Sequence, residues 1–353
     1  MQPQTQLSSL TPTLYRLGAI FISILLLVLL ILISGESPLS VVAALWNGAF
    51  GTFDQMGRVI STLSILLLCA SGLVFTFTAG LYNLGIEGQV TVGAIVATWA
   101  LRSFGAADPA PGTTQVAVIG LSILAGAIGG MLWGLMAGLL NVYGKVSEIF
   151  AGLGLNFVAQ GLAIFLIFGP WKRPGVASMS GTEPFNESLW LGTFGKTEAT
   201  PVGIALAIIA AILTVIIIRG THFGLRLRAV GRNLRASYIL GIPATRQLLS
   251  SFAICGLMAG IAGAIQVVGN YHRLIPTISG SLGFLSLLVV MLANFNALFV
   301  IPVAIFFSTV TVGSLQLPLV LQKVDSSLSG VIQGMLVLFA LIGRGLAEVR
   351  GKK

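Results

Sequence analysis

Residues 274–322 read LIPTISGSLGFLSLLVVMLANFNALFVIPVAIFFSTVTVGSLQLPLVLQ, a run without a single Lys, Arg, Asp or Glu. It is long enough for two membrane helices of about 20 residues each. A second charge-free run lies between Arg246 and Arg273. Water-soluble chains carry about 25% charged residues because their surface faces water. Here only 8% of 353 residues are charged and 56% are hydrophobic, with mean hydropathy +1.00. Too little polar surface exists to coat a globule of this size, so most of the exterior faces lipid. The fold class that follows is all-α: a polytopic transmembrane helical bundle of about ten spans, some short or broken.

Working outward from that run, apolar stretches bounded by charge, Pro or Gly place spans near 17–34, 59–79, 89–104, 114–143, 149–169, 201–219, 248–269, 282–296, 298–316 and 330–343. The first, Leu17 to Ile33, is longer than a signal-peptide core and is followed by no small-x-small cleavage site, so it reads as a retained anchor. Residues 1–353 are taken as one transmembrane domain. With both termini inside, inner segments hold twelve Lys and Arg residues and outer segments seven. That bias fits the positive-inside rule, and the 219–247 loop makes most of the difference. The longest polar outer segment is 171–200, of mixed charge and broken by Pro174 and Pro184. It suits a solvated cap or a docking surface for an extracytoplasmic partner.

The formal net charge of +9 does not point to nucleic acid, because the basic residues cluster at the ends of apolar segments. Cys69 and Cys255 lie inside apolar runs and read as two buried thiols with no disulfide framework. Gly126, Gly130, Gly134 and Gly138 recur every four residues along one helix face, and Gly256 and Gly260 repeat the spacing. Such faces let backbones approach closely, the form of helix packing that lipid favours.

Two segments carry the functional signal. GLYNLGIEGQ, residues 80–89, interrupts two apolar runs with three glycines and an asparagine. Each interior Gly costs about 1 kcal/mol relative to Ala, so a break or re-entrant turn is predicted there. Glu87 beside such a break is a functional candidate because burying its charge is expensive; helix capping or pairing with an arginine is the structural alternative. Asn83, Gly85, Gly88 and Gln89 complete this motif. The other segment, RGTHFGLRLRAVGRNLRASYILGIPATR, residues 219–246, holds six arginines and no acid. Asn233 reads as a helix cap, with Leu234, Ser237, Tyr238 and Gly241 on neighbouring turns and Pro243 ending the helix. A short basic helix at the membrane surface binds anionic lipid or docks on a partner protein.

In combination, GLYNLGIEGQ and GLRLRAVGRNLRASYILGI resemble the permeases of bacterial ABC importers in the branched-chain amino acid, ribose and nucleoside group. The nucleoside and simple-sugar branch, which usually reads Asn-Ile-Gly-x-Glu-Gly-Gln, is the nearer match; Leu84 replaces its Ile, and Ser237 replaces an Ala in the second motif. The resemblance spans about residues 59–343. It implies that the second motif is the coupling helix resting on an ATP-binding cassette subunit, through Leu225, Arg226, Arg228, Ala229, Gly231, Asn233, Arg235, Ala236 and Gly241. It also implies a second permease subunit, an extracytoplasmic substrate-binding protein, and residence in the cytoplasmic membrane. Over 282–296 the match is too loose for residue-level transfer.

The chain itself lacks ATPase chemistry. Gly195-Lys196-Thr197 is a partial P-loop, but Trp190 stands at the first glycine position. His222 and His272 lie in different loops and form no zinc-ligand spacing, and no Gly-x-Ser-x-Gly turn occurs. No cofactor is expected beyond ATP held by the partner. The substrate reads as a nucleoside, with a pentose or simple sugar next. Asn156, Gln266, Asn270, Phe284 and Asn294 are the candidate substrate path, each equally suited to helix packing. The competing class is an ion-gradient-driven secondary transporter, in which Glu87 would be the intramembrane acid at a broken helix.

Overall fold

In hydrocarbon a backbone must close its own hydrogen bonds, and the long apolar runs do so as helices. The computed structural model describes residues 21–342 apart from 23, 30, 34, 106–112, 174, 176–180, 196, 322–326, 328–329, 336 and 340–341. In chain order the main helices are α1 (Pro38–Phe50), α2 (Phe53–Thr78), α3 (Ile86–Phe104), α4 (Thr113–Val142) and α5 (Glu148–Phe168). They continue with α6 (Pro201–Gly220), α7 (His222–Arg232), α8 (Leu234–Ile239), α9 (Ala244–Ile265), α10 (Leu282–Leu292) and α11 (Ala297–Gly313). Six helices among the described residues are long and apolar enough to cross a membrane, and a seventh span results if Ile24–Ile33 and α1, bent by 99°, count as one.

The span count of about ten is therefore too high, and the reasons are physical. The expected span 282–296 is α10, whose 11 residues rise only about 16 Å, roughly half a bilayer core. Ser281 before it and Asn294 and Phe295 after it all have positive φ, so the helix stops at both ends. The expected span 89–104 falls in α3, which carries Glu87, Gln89 and Arg102 and is less apolar than the six. The expected span 330–343 is the short helix Gly330–Phe339, and residues past 342 lie outside the described set. The part of 17–34 before residue 21 also lies outside it. Helix α1 was not anticipated; Ser37 caps it by accepting from Ser40 N at 3.1 Å.

The chain divides into two compact units, 1–59 with 305–353 and 60–304. In the first, Leu27, Ile31, Val41, Ala44, Val310 and Leu317 share one buried cluster. The second is built on α3, α4 and α9. The glycine repeat is the seam between α4 and α9: a Cβ at Gly256 would overlap Gly130 O and stand 3.1 Å from Met131 Cα. Cys69 and Cys255 are both buried and free.

The two ends of α9 differ. Its N-terminus follows α7 and α8, while its last turn widens into a π-helix over Gln266–Tyr271 and meets the segment before α6. That segment is an ordered cap: Thr182 N donates to Leu274 O, Phe185 N to His272 O and Leu191 N to Val268 O, each at 2.9 Å. The Trp190 ring stacks on His272 at 3.8 Å between centroids.

Candidate functional site

The predicted break is present. After α2 the chain turns at Gly80, φ +81°, and α3 begins only at Ile86. The intervening backbone is pinned by Asn83, which is fully buried: its Oδ1 accepts from Gly85 N at 3.1 Å and its Nδ2 donates to Cys255 Sγ at 3.2 Å. Asn83 also pairs with the buried Gln89 side chain at 3.3 Å. These two residues peg the break internally. Gly85 permits close approach of α5, since a Cβ at Gly152 would stand 3.1 Å from Gly85 Cα.

Glu87 faces the other way. Its carboxylate accepts from Ser279 Oγ and from Phe284 N, the latter at 3.2 Å, and so holds the start of α10. The half-length of α10 thus gains a purpose, because its N-terminus is met by a carboxylate, the favourable polarity for a helix dipole. Gly283 leaves room for this, with no side chain between α10 and the acid.

Around Glu87 lies a cavity of about 340 Å³. From α3 it is lined by Glu87, Gly88 and Thr91, from α5 by Leu153, Asn156, Phe157 and Gln160, and from the segment leading into α10 by Thr277, Ser279, Ser281 and Phe284. Asn156 locks α5 to the break, accepting from Gly88 N at 2.8 Å and donating to Leu84 O at 2.7 Å. Gln160 Nε2 donates to Pro276 O at 2.8 Å, which folds the 274–281 segment back against the middle of α5.

Of the candidate path residues, Asn156 and Phe284 meet at this cavity with Glu87 and Gly88. Gln266 and Asn270 bond to each other, and Asn270 accepts from Ser61 Oγ at 2.9 Å, forming a separate network. Asn294 sits in the left-handed turn after α10. Gln160, Thr91, Phe157, Thr277, Ser279 and Ser281 were not anticipated. Gln160 was findable, because it lies four residues after Asn156 and hence on the same helix face.

The basic segment forms two helices rather than one. Thr221 caps α7, accepting from Gly224 N at 3.2 Å, and Asn233 caps α8, accepting from Ala236 N at 2.9 Å. Leu227 and Val230 turn inward, while Leu225, Arg226, Arg228 and Arg235 are exposed and Ala229 and Ala236 half-buried. Gly241, φ +74°, ends the segment, and Pro243 precedes α9 instead of terminating α8 itself. Leu234, Tyr238, Ile239 and Leu240 remain exposed.

Gly231 joins the two motifs. A Cβ there would overlap Thr78 O and stand 3.0 Å from Gly80 N, so α7 rests directly on the end of α2 where the break begins. Beside this contact is a cavity of about 620 Å³ lined by residues that include Gly80, Lys145, Ser147, Gly231, Leu234 and Tyr238. The break, the α4–α5 turn and the basic helices therefore share one end of the unit. Among the described residues no group of His, Cys, Asp and Glu is placed to hold a metal ion.

Known proteins match along most of the chain. The "Guanosine ABC transporter permease protein NupP" of Bacillus subtilis (strain 168) is 28% identical over 330 residues, covering 92% of this chain and 91% of that one. The "Nucleoside ABC transporter permease protein NupB" of Lactococcus lactis subsp. cremoris (strain MG1363) is 26% identical, covering 84% and 82%. The "Glucose ABC transporter permease protein TsgB13" of Haloferax volcanii is also 26% identical, covering 83% and 76%. The family described as "Branched-chain amino acid transport system / permease component" matches residues 55–341, and this multi-pass membrane chain belongs to it.

Proposed function

We propose that the chain is the permease subunit of an ATP-driven importer, moving a nucleoside, or failing that a pentose or simple sugar, inward across the cytoplasmic membrane. The observation that carries this reading is the seat of Gly231 on Thr78 and Gly80. It gives a basic, partly apolar surface helix a mechanical route to the Glu87 break, which a helix that only bound lipid would not need. The nucleoside preference is supported by relatives named for guanosine and for nucleosides, and the sugar alternative by one named for glucose.

In this reading α7 and α8 dock on an ATP-binding cassette subunit through Leu225, Arg226, Arg228, Ala229, Gly231, Asn233, Arg235, Ala236 and Gly241. Both termini are cytoplasmic, a second permease subunit completes the channel, and the ordered cap at 181–191 faces an extracytoplasmic binding protein. The whole chain works as one transmembrane domain with two discrete packings of the bundle, biased by ATP in the partner. The test is uptake of labelled guanosine by inside-in membrane vesicles with proton and sodium gradients collapsed. Uptake that persists while ATP is present supports the proposal. Uptake that follows the ion gradient and ignores ATP supports the secondary transporter, with Glu87 as its coupling acid.

A further inference from the structure

We infer that α10 is the strut of the interrupted helix: its start is clamped to α3 through Glu87 and its finish to the end of α2 through Phe295, which makes Phe77, Tyr82 and Phe295 positioning residues for transport. The inference rests on the importer reading and adds to it the element that carries a displacement at Gly80 across the break.

A push along a helix passes down its i to i−4 hydrogen-bond ladder, and between Thr78 and Ile86 that ladder is interrupted. The amides there bond locally instead: Leu81 N donates to Thr76 O at 2.9 Å, Leu84 N to Tyr82 O at 3.0 Å and Gly85 N to Asn83 Oδ1 at 3.1 Å. Such a segment bends more readily than it transmits. Movement at Gly80 needs a second connection to reach the Glu87 cavity.

One clamp lies at the start of α10. Glu87 takes the Ser279 hydroxyl and the backbone amides of Ser281, Gly283 and Phe284. These donors fill the roughly four acceptor positions of a carboxylate, so its work is to hold the helix. A Cβ at Gly283 would stand 3.1 Å from Glu87 Cα, which shows how closely the two backbones lie.

The other clamp lies at the finish. Asn294 N donates to Met291 O at 3.1 Å and Phe295 N to Val290 O at 3.0 Å, closing the helix end with both residues left-handed, φ 53° and 60°. Asparagine tolerates that conformation, whereas in a phenylalanine the Cβ crowds the backbone. The strained turn sets the Phe295 ring on Phe77, with centroids 5.0 Å apart and planes 22° from parallel. Phe77 in turn meets the Tyr82 ring edge-on at 5.2 Å. Phe77 belongs to the last turn of α2 and Tyr82 to the break, so one aromatic cluster joins α10 to both. Arg219, at the end of α6, donates to Asn296 Oδ1 at 2.7 Å and holds the same turn from another side. Strain kept at an aromatic residue, where glycine would be relaxed, points to a function.

Between the clamps α10 is an unbroken helix of 11 residues. It bridges the gap from Glu87 on one flank to Phe77 on the other. Ser279, Ser281 and Phe284 around its start form one wall of the 340 Å³ cavity, so a displacement of the strut reshapes that wall.

The experiment reads uptake and ATP hydrolysis by the assembled importer in proteoliposomes, with labelled guanosine, or labelled ribose where guanosine is not carried. Phe295→Gly deletes the ring and relieves the left-handed backbone together, which favours folding. It should keep ATP hydrolysis within about twofold and lower uptake per ATP at least about fivefold, inside the range by which changes along a coupling route act. Phe295→Tyr, which keeps the stack, should restore the ratio. Glu87→Gln, which sets an amide donor against the donors of α10, should lower it too. The double variant should be no worse than the poorer single, because a strut freed at one end carries nothing. If Phe295→Gly does not assemble, Phe77→Leu, which keeps apolar bulk and loses the stack, takes its place with the same expectation. A normal ratio in an assembled variant overturns the inference, as do losses that add in the double variant. Either result leaves the importer reading standing when the unaltered chain shows ATP-driven uptake. An unaltered importer that carries no nucleoside or sugar with ATP removes the parent reading and the inference with it.

Discussion

Replacing Gly231 with alanine isolates the contact on which the proposed coupling depends. Alanine improves helix propensity by up to about 1 kcal/mol over glycine, and less at the penultimate residue of α7. Against that gain stands the seat itself. The added Cβ overlaps Thr78 O and stands 3.0 Å from both Ala79 C and Gly80 N, all backbone atoms without side-chain freedom to yield. α7 must retreat by about 1 Å, and overpacking of this kind costs about 1–3 kcal/mol. The clash exceeds the propensity gain, so the seated arrangement is disfavoured by up to about 2 kcal/mol, roughly thirtyfold in population. Gly220→Ala is the control, because a Cβ there meets nothing within 4 Å. The assay is guanosine uptake per ATP hydrolysed by the assembled importer in proteoliposomes. Gly231→Ala should lower that ratio at least about fivefold while the partner stays bound, and Gly220→Ala should leave it unchanged. A normal ratio for Gly231→Ala would refute the mechanical route from α7 to the break.

Gly256→Val should lower the midpoint of thermal unfolding in detergent by several degrees, since its Cβ overlaps Gly130 O across the α4–α9 seam and the cost is again about 1–3 kcal/mol. Gly154→Val, in open space, should not, and equal melting of the two would remove the seam from the packing account. Burial pushes the His272 imidazole below its ordinary range, where it stacks on Trp190. The unfolded chain then takes up this proton first, so the stability His272 contributes is present above about pH 6.5 and falls as pH drops through the folded pKa. His272→Gln should flatten the melting temperature between pH 7 and 5 relative to the unaltered chain, and an unchanged slope would show that the cap at 181–191 is indifferent to this proton.

Much of this was legible in the sequence because membrane constraints are local. Charge-free runs become helices, the four-residue glycine period becomes the α4–α9 seam, and Asn233 caps a helix where its position before Leu234 says it should. The acid beside the glycine-rich break does face a cavity. The half-length α10 was not legible, because residues 274–322 are uniformly apolar and composition does not separate a dipping loop from a span. Only Ser279-Gly280-Ser281 marks it, and the fold-back is fixed by Gln160 bonding the Pro276 carbonyl 116 positions away. The seat of Gly231 on Thr78 leaves no periodic signal, since it joins two chain ends of separate helices.

The decisive measurement is affinity purification of this chain from its native membrane in mild detergent, with identification of what accompanies it. An ATPase carrying a P-loop should co-purify, and Arg228→Glu with Arg235→Glu, both on the exposed side of α7 and α8, should release it without preventing insertion. Recovery of the chain alone across several detergents, or retention of the ATPase by the charge-reversed variant, would contradict the assignment of these helices as the coupling surface.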